Sequence, residues 1–376
     1  MNKPRQASKL LDGSAAFSTG MKEDGSAQLK DGSAARPNTG LNIRPRDGSA
    51  DGSADGSADG SAAIAQWTPM TIALTTSREG IVHPNDTSAY AHVGDEGDGY
   101  PCARLGRWSH EVLVGLVVQE IIANIKIDVT GNNGIATATV SSSVGTGVAA
   151  TLQRPTLKQF KAQISEVLAA ADLRSERAGE ILGQLHHQWP FWDAILPVPQ
   201  RRRPATQVLL DATVTLCSLV GQRIKHEFGC YRPGELSPQV QPMIPTPGHG
   251  TYPMAHGAQA YSCAHLLHKL SNPAAPDPFE PSKKQVKLPA LVVQLYALAA
   301  RMSNNRVIAG VHFPIDAHGG FVVGRWLAIH VLSLAEKEAV HDAGEKANEA
   351  AAFNKSVVGC MLRMAKTEWP AKPYES

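Results

Sequence analysis

Thr206 to Phe228 reads TQVLLDATVTLCSLVGQRIKHEF, and its apolar residues Val208, Leu209, Val214, Leu216, Leu219, Val220 and Ile224 recur at helical spacing. The stretch predicts a buried helix with Lys225 in its last turn, Gly229 as C-cap and Pro233 preventing continuation. Upstream, Leu105 to Ile127 repeats the pattern with Val112, Leu113, Leu116, Val117, Ile121, Ile122 and Ile125, and reads as one buried helix. Thr130 to Leu152, rich in Gly, Thr, Ser and Val, reads as a loop or short hairpin. Thr156 to Leu173 and Ser175 to Trp189 are amphipathic. Downstream, a proline-rich connection from Gly234 to Pro253 leads into a helix starting near His256 and running through Leu266, Leu267 and Leu270. A loop from Ser271 to Lys287 precedes a helix over Leu288 to Met302, and two or three more cover Arg306 to about Lys366. At least seven helices without sustained two-residue alternation make an all-α helical bundle the expected fold class.

The rest of the chain sets limits on that bundle. Residues 1–65 carry seven copies of Asp-Gly-Ser-Ala, starting at Asp12, Asp24, Asp31, Asp47, Asp51, Asp55 and Asp59. Such small polar residues bury too little apolar area to offset chain entropy, so a disordered tail is expected there and a helical catalytic domain over 66–376. The period of four does not fit an EF-hand loop. The acidic glycine run Gly94 to Gly99 reads as a solvated loop. A net charge of +2, from 36 basic and 34 acidic residues, gives no global field for nucleic acid or an anionic membrane, so important cations must act locally. Five cysteines, scattered and without a CxxC, signal neither a disulfide framework nor a zinc site, and reduced thiols are expected. The N-terminus lacks the apolar core of a signal peptide, and no run of about 18 uninterrupted apolar residues suggests a bilayer span. These features lead to the expectation of a cytoplasmic protein without membrane or nucleic-acid partners.

Three separated segments carry cations and imidazoles. The first, Lys-His-Glu-Phe-Gly-Cys-Tyr-Arg-Pro, holds Lys225 and Arg232 at and just beyond a helix end, where both can point at one ligand. The second, Tyr-Pro-Met-Ala-His-Gly-Ala from Tyr252 to Ala258, places His256 and the amides of Ala255 and Gly257 at a helix start, where unpaired N–H groups favour an anion. The third runs from Ser303 to Asp316, with Arg306 six residues before His312 and Asp316 four after it. Either Asp316 holds the His312 ring in one tautomer, or it caps the helix from Ala317 onward; Pro314 between them leaves both readings open. Three fixed positive charges and two imidazoles suit a small, highly charged tetrahedral anion.

These segments resemble the tripartite signature of vanadium-dependent haloperoxidases and the related type 2 phosphatidic acid phosphatases: Lys-x6-Arg-Pro, Pro-Ser-Gly-His and Ser-Arg-x5-His. The likeness covers roughly residues 190–330, and it implies a helical bundle of that type. It also implies that Lys225, Arg232 and Arg306 neutralise the oxygens of bound vanadate, or of phosphate in the same site. By the same resemblance His312 is the vanadium ligand, or the nucleophile of the hydrolytic relatives, and His256 is the acid–base residue. The implied reaction uses hydrogen peroxide to oxidise bromide or iodide and halogenate a small organic acceptor. Relatives with this signature often form dimers.

Two departures fall in the second segment. Met254 stands where the signature has serine, and Ala255 where it has glycine. Loss of the serine hydroxyl removes a charge-assisted hydrogen bond typically worth about 1.5–3 kcal/mol, although the Ala255 amide remains a donor. Asn305 stands where a serine often precedes the arginine. His249, seven residues before His256, occupies a position that is aromatic in chloride-oxidising relatives and histidine in many bromide-oxidising ones; the bare sequence also permits a solvent-facing loop histidine. His226, His265, His268 and His318 read as helix-surface or packing residues. The other readings are a soluble acid phosphatase working through a phosphohistidine, and a cofactor-independent relative that only binds anions.

Overall fold

The computed structural model describes residues 105–106, 108–132, 135–143, 149–185, 188–198, 202–279, 288–341 and 356–369. The Asp-Gly-Ser-Ala repeats and the acidic run at 94–99 lie outside them. Within the described residues the chain is mainly helical, with one small sheet. Helix α1 (His110–Ile122) is followed by an antiparallel sheet ordered β1 (Ile125–Asn132), β2 (Ile135–Ser142), β3 (Ala150–Gln153). Short helices α2 (Leu157–Ala162), α3 (Ile164–Ala170), α4 (Arg174–Gly183) and α5 (Trp189–Asp193) lead to the long α6 (Pro204–Phe228). Then come α7 (Pro233–Leu236), α8 (Ala255–Ser271), α9 (Ala290–Ile308), α10 (Pro314–His341) and α11 (Val357–Thr367).

The sheet corrects the all-α expectation. Leu105 to Ile127 is not one helix: α1 stops at Ile122, and Ile125 already pairs with Ser142 across β1 and β2. The polar and β-branched residues Thr130, Thr137, Thr139 and Val140 suit a half-buried strand, and Val140 and Ala138 turn inward against the helices. The cysteine reading also needs revision. Cys217, Cys230 and Cys263 are free and buried, but Cys360 is disulfide-bonded. Scatter along the chain says nothing about which sulfurs meet in space.

Helix α6 is the core. It is buried on nearly every side, which is what an all-round apolar helix requires. It packs against α1, α8, α10 and α11. Among the described residues it lies in the single stretch long and apolar enough to cross a membrane, and 67% of that window is covered by the protein itself. Its N-terminus carries no local side-chain cap; Glu368 at the end of α11 accepts from the amides of Ala205 (2.7 Å) and Thr206 (2.8 Å) instead. Helices α8 and α10 cross closely because α10 presents glycine. A Cβ at Gly320 would sit 2.5 Å from the Met254 carbonyl, and one at Gly324 would strike the Ala258 carbonyl. This crossing brings the start of α8 against the start of α10, and with it the second and third cation-bearing segments.

Candidate oxyanion site

Gly229 ends α6 in the left-handed region at φ 53°, its N–H bonded to the Lys225 carbonyl at 3.0 Å. The Lys225 side chain is buried, and its Nζ donates to the carbonyls of Gly250 (2.8 Å) and Thr251 (2.9 Å). Arg232 is equally buried and fully engaged. Its Nε donates to the His249 carbonyl (3.0 Å) and its Nη1 to the Val311 carbonyl (2.7 Å) and His312 Nε2 (3.0 Å). Its Nη2 lies 3.1 Å from His249 Nδ1 and 3.3 Å from the Gly250 carbonyl. Carbonyl oxygens satisfy these donors without neutralising their charge, so the site keeps a buried positive excess.

Arg306, in the last turn of α9, differs. Its Nη2 donates to the Ile181 carbonyl (2.9 Å) and to Gln184 Oε1 (3.2 Å). Gln184 is held in turn by Glu180, whose carboxylate receives Arg301 Nε at 2.9 and 2.8 Å. Its Nε and Nη1 donors are buried without a partner in a residue only 1% exposed. Unpaired buried donors of a charged group are costly, and an oxyanion is a ligand that satisfies them with charge as well as hydrogen bonds. At the start of α8, Met254 is an N-cap that forms no side-chain cap bond, and the amides of Ala255, His256 and Gly257 find no acceptor among the described residues.

His312 faces the same space. Asp316 Oδ2 lies 3.0 Å from its Nδ1 and also accepts the Phe313 N–H at 2.8 Å. Of the two readings left open for Asp316, the carboxylate orients the ring; α10 already begins at Pro314, so Asp316 lies inside its first turn instead of capping a helix from Ala317, and there it accepts the Phe313 amide. With Nδ1–H given to Asp316, Nε2 carries the lone pair, and Arg232 Nη1 covers it.

Neither a protein-family model nor a curated protein matches this chain. The site is therefore read from its own chemistry. Burial lowers the Arg232 and Arg306 pKa values to about 10 and drives that of Lys225 well down, with Asp316 opposing the shift at Lys225 and Arg232. Burial, then Arg306, Lys225 and Arg232, pushes His256 down to about 3; burial and the same Lys225 and Arg232 charges hold His312 well below the usual imidazole range. Burial and Lys225 lower His249 to about 4. Asp316 goes the other way, raised by burial to about 6 against the hydrogen bonds and cations that favour its ionised form. The imidazoles are thus neutral at pH 7, and a bound anion would raise them again.

The fold brings together every charged or imidazole residue singled out by the sequence: Lys225, Arg232, His249, His256, Arg306, His312 and Asp316 influence one another electrostatically or touch directly. His249 is not a solvent-facing loop residue; it is half-buried against Arg232. Met254 is wholly buried, and its sulfur accepts from the Ser303 hydroxyl at 3.3 Å, so the thioether lies over the first turn of α8 toward α9. Sequence reasoning missed Gln184, the Ile181 carbonyl and Thr251, which orient the charges and carry no local signal. His265 and His268, read as surface or packing residues, are buried with both Nδ1 atoms on the Tyr296 hydroxyl, at 2.8 and 3.2 Å.

Proposed function

We propose that this chain binds a tetrahedral oxyanion and, with vanadate, acts as a haloperoxidase that uses hydrogen peroxide to oxidise bromide or iodide and halogenate a small organic acceptor. The observation that carries the reading is the unpartnered Nε and Nη1 donors of buried Arg306, whose charge is felt at His256. Among the described residues no group of three or more His, Cys, Asp or Glu is placed to hold a metal ion. Three buried cations attract an oxyanion and repel a bare metal cation, so the donor set fits vanadate or phosphate. The tripartite motif resemblance suits vanadate and phosphate alike.

When bound, vanadate supplies Lewis-acid activation of peroxide. Lys225, Arg232 and Arg306 would hold its oxygens by fixed charge, with little reorganisation because carbonyls and Gln184 already pin them. The His312 Nε2 lone pair would be the protein donor to the group, in place of its present contact with Arg232 Nη1. Asp316 keeps the His312 ring oriented through Nδ1. Oxidation of bromide to hypobromous acid, with reduction of peroxide to water, consumes a proton, and His256 is the imidazole placed to deliver it once the anion has raised its proton affinity. The same His312 lone pair also suits attack on phosphorus, the chemistry of the phosphatase reading, and a chain that only holds its anion would show neither activity.

The test runs two assays in parallel on the purified chain: dye halogenation with vanadate, peroxide and bromide, and hydrolysis of a phosphoester. Halogenation that is lost in His312→Ala is the expected result. Arg306→Met is expected to weaken phosphate binding by calorimetry at least about tenfold, the worth of one charge-assisted hydrogen bond. Phosphate release without bromide oxidation would replace the haloperoxidase reading with the phosphatase one.

A further inference from the structure

Thr251 lies in the connection before α8 and has no solvent exposure. Its backbone N–H donates to the Cys230 carbonyl at 3.0 Å, its carbonyl receives Lys225 Nζ at 2.9 Å, and its hydroxyl donates to Asp316 Oδ2. The same hydroxyl oxygen is 3.1 Å from His312 Nδ1. One residue therefore touches the segment leading to Arg232, the Lys225 ammonium and the His312–Asp316 pair.

We propose that Thr251 is a positioning residue whose hydroxyl locks His312 in the tautomer that leaves Nε2 unprotonated, as a donor to vanadate must be. The reasoning is a count of hydrogens. A threonine hydroxyl has one proton, and here it is spent on Asp316 Oδ2, so toward His312 Nδ1 the oxygen can only accept. Asp316 Oδ2, 3.0 Å from the same nitrogen, also only accepts. Two acceptors facing Nδ1 require a proton there. A neutral ring with its proton on Nδ1 has none on Nε2, which is why Arg232 Nη1 is able to donate to Nε2 at 3.0 Å. Without the hydroxyl, one of the two acceptors facing Nδ1 is gone, and apart from the ring itself Asp316 Oδ2 keeps only the Phe313 N–H at 2.8 Å. The Nε2–H tautomer then becomes accessible, and it presents a proton to Arg232 and no lone pair to the anion.

The inference deepens the oxyanion reading and rests on it for the affinity measurement alone. The experiment uses the full chain with 15N-labelled histidine. In the wild type, the His312 ring nitrogens, assigned by comparison with His312→Gln, are expected to show a protonated Nδ1 and an unprotonated Nε2. Thr251→Val should mix the two tautomers and weaken vanadate binding by about tenfold, the range of a lost hydrogen bond to a charged group. Thr251→Ser should keep the wild-type tautomer and affinity within about twofold, since it restores the hydroxyl. If the valine variant does not fold, Thr251→Ala against Thr251→Ser makes the same comparison. An unchanged tautomer and unchanged affinity in the hydroxyl-less variant would overturn the proposal, as would a serine variant as impaired as valine. A wild type that binds neither phosphate nor vanadate would overturn the oxyanion reading instead, and the tautomer comparison would still decide the role of Thr251.

Discussion

At the scale of single residues, the site separates groups that look equivalent in the sequence. Arg232 and Arg306 are both buried arginines near a helix end, yet all the donor groups of Arg232 are taken by the protein while Nε and Nη1 of Arg306 are left without a partner. The sequence lists the cations, and only the partners show which one waits for a ligand. Met254 makes the same point. Replacing the signature serine by methionine removes a hydroxyl, but the structure adds that the thioether is wholly buried against Ser303 and the first turn of α8. Met254→Ser is therefore expected to have two opposite effects. Removing a buried methionine costs about 2–5 kcal/mol of stability. The new N-cap hydroxyl should tighten phosphate binding, and denaturant unfolding with calorimetry on the same sample separates the two. Affinity equal to wild type would show that position 254 does not face the anion.

At the scale of elements, periodicity located the helices well because α6, α8 and α9 bury broad apolar faces and end on readable punctuation such as Gly229 and Pro233. It failed where two periodicities abut. Ile121 and Ile122 close a helix and Ile125 and Ile127 open a strand only three residues later, so one apolar run conceals the change. The caps supplied across space were also invisible: Glu120 accepts from Val357 and Val358 at the head of α11, as Glu368 does for α6. The α8–α10 crossing gives a sharp test. Gly324→Ala drives a Cβ into the Ala258 carbonyl, which is backbone and cannot swing away, so a loss of roughly 1–3 kcal/mol or more is expected in chemical denaturation. Gly221→Ala in α6 is the control. Nothing lies within 4 Å of its added Cβ, and the gain in helix propensity should stabilise the fold by about 0.5–1 kcal/mol.

At the scale of the whole molecule, burial of neutral imidazoles ties stability to pH. Burial lowers His256 and His265 to about 3 and His249, His268 and His330 to about 4. In the unfolded chain histidine titrates near about 6.5, so between roughly pH 4 and 6.5 the unfolded state binds more protons and stability rises with pH. Asp316, raised to about 6, works in the opposite direction over part of that window, but one carboxyl opposes several imidazoles. The thermal midpoint of the ligand-free protein should climb from pH 4 to about 6.5 and level off above it. A midpoint flat across that window would contradict the neutral burial of these rings. The sequence by itself located most of the helices, the glycine and proline stops, and the residues of the cation-rich site, because spacing and residue type are local properties. Tertiary structure alone decided where the strand over Ile125–Asn132 begins and that a third strand joins the hairpin, the disulfide at Cys360, the caps supplied from distant residues, and the assignment of partners within the site. Those depend on which groups distant in the chain compete for the same hydrogen bond once water is excluded, and a linear pattern does not encode that competition.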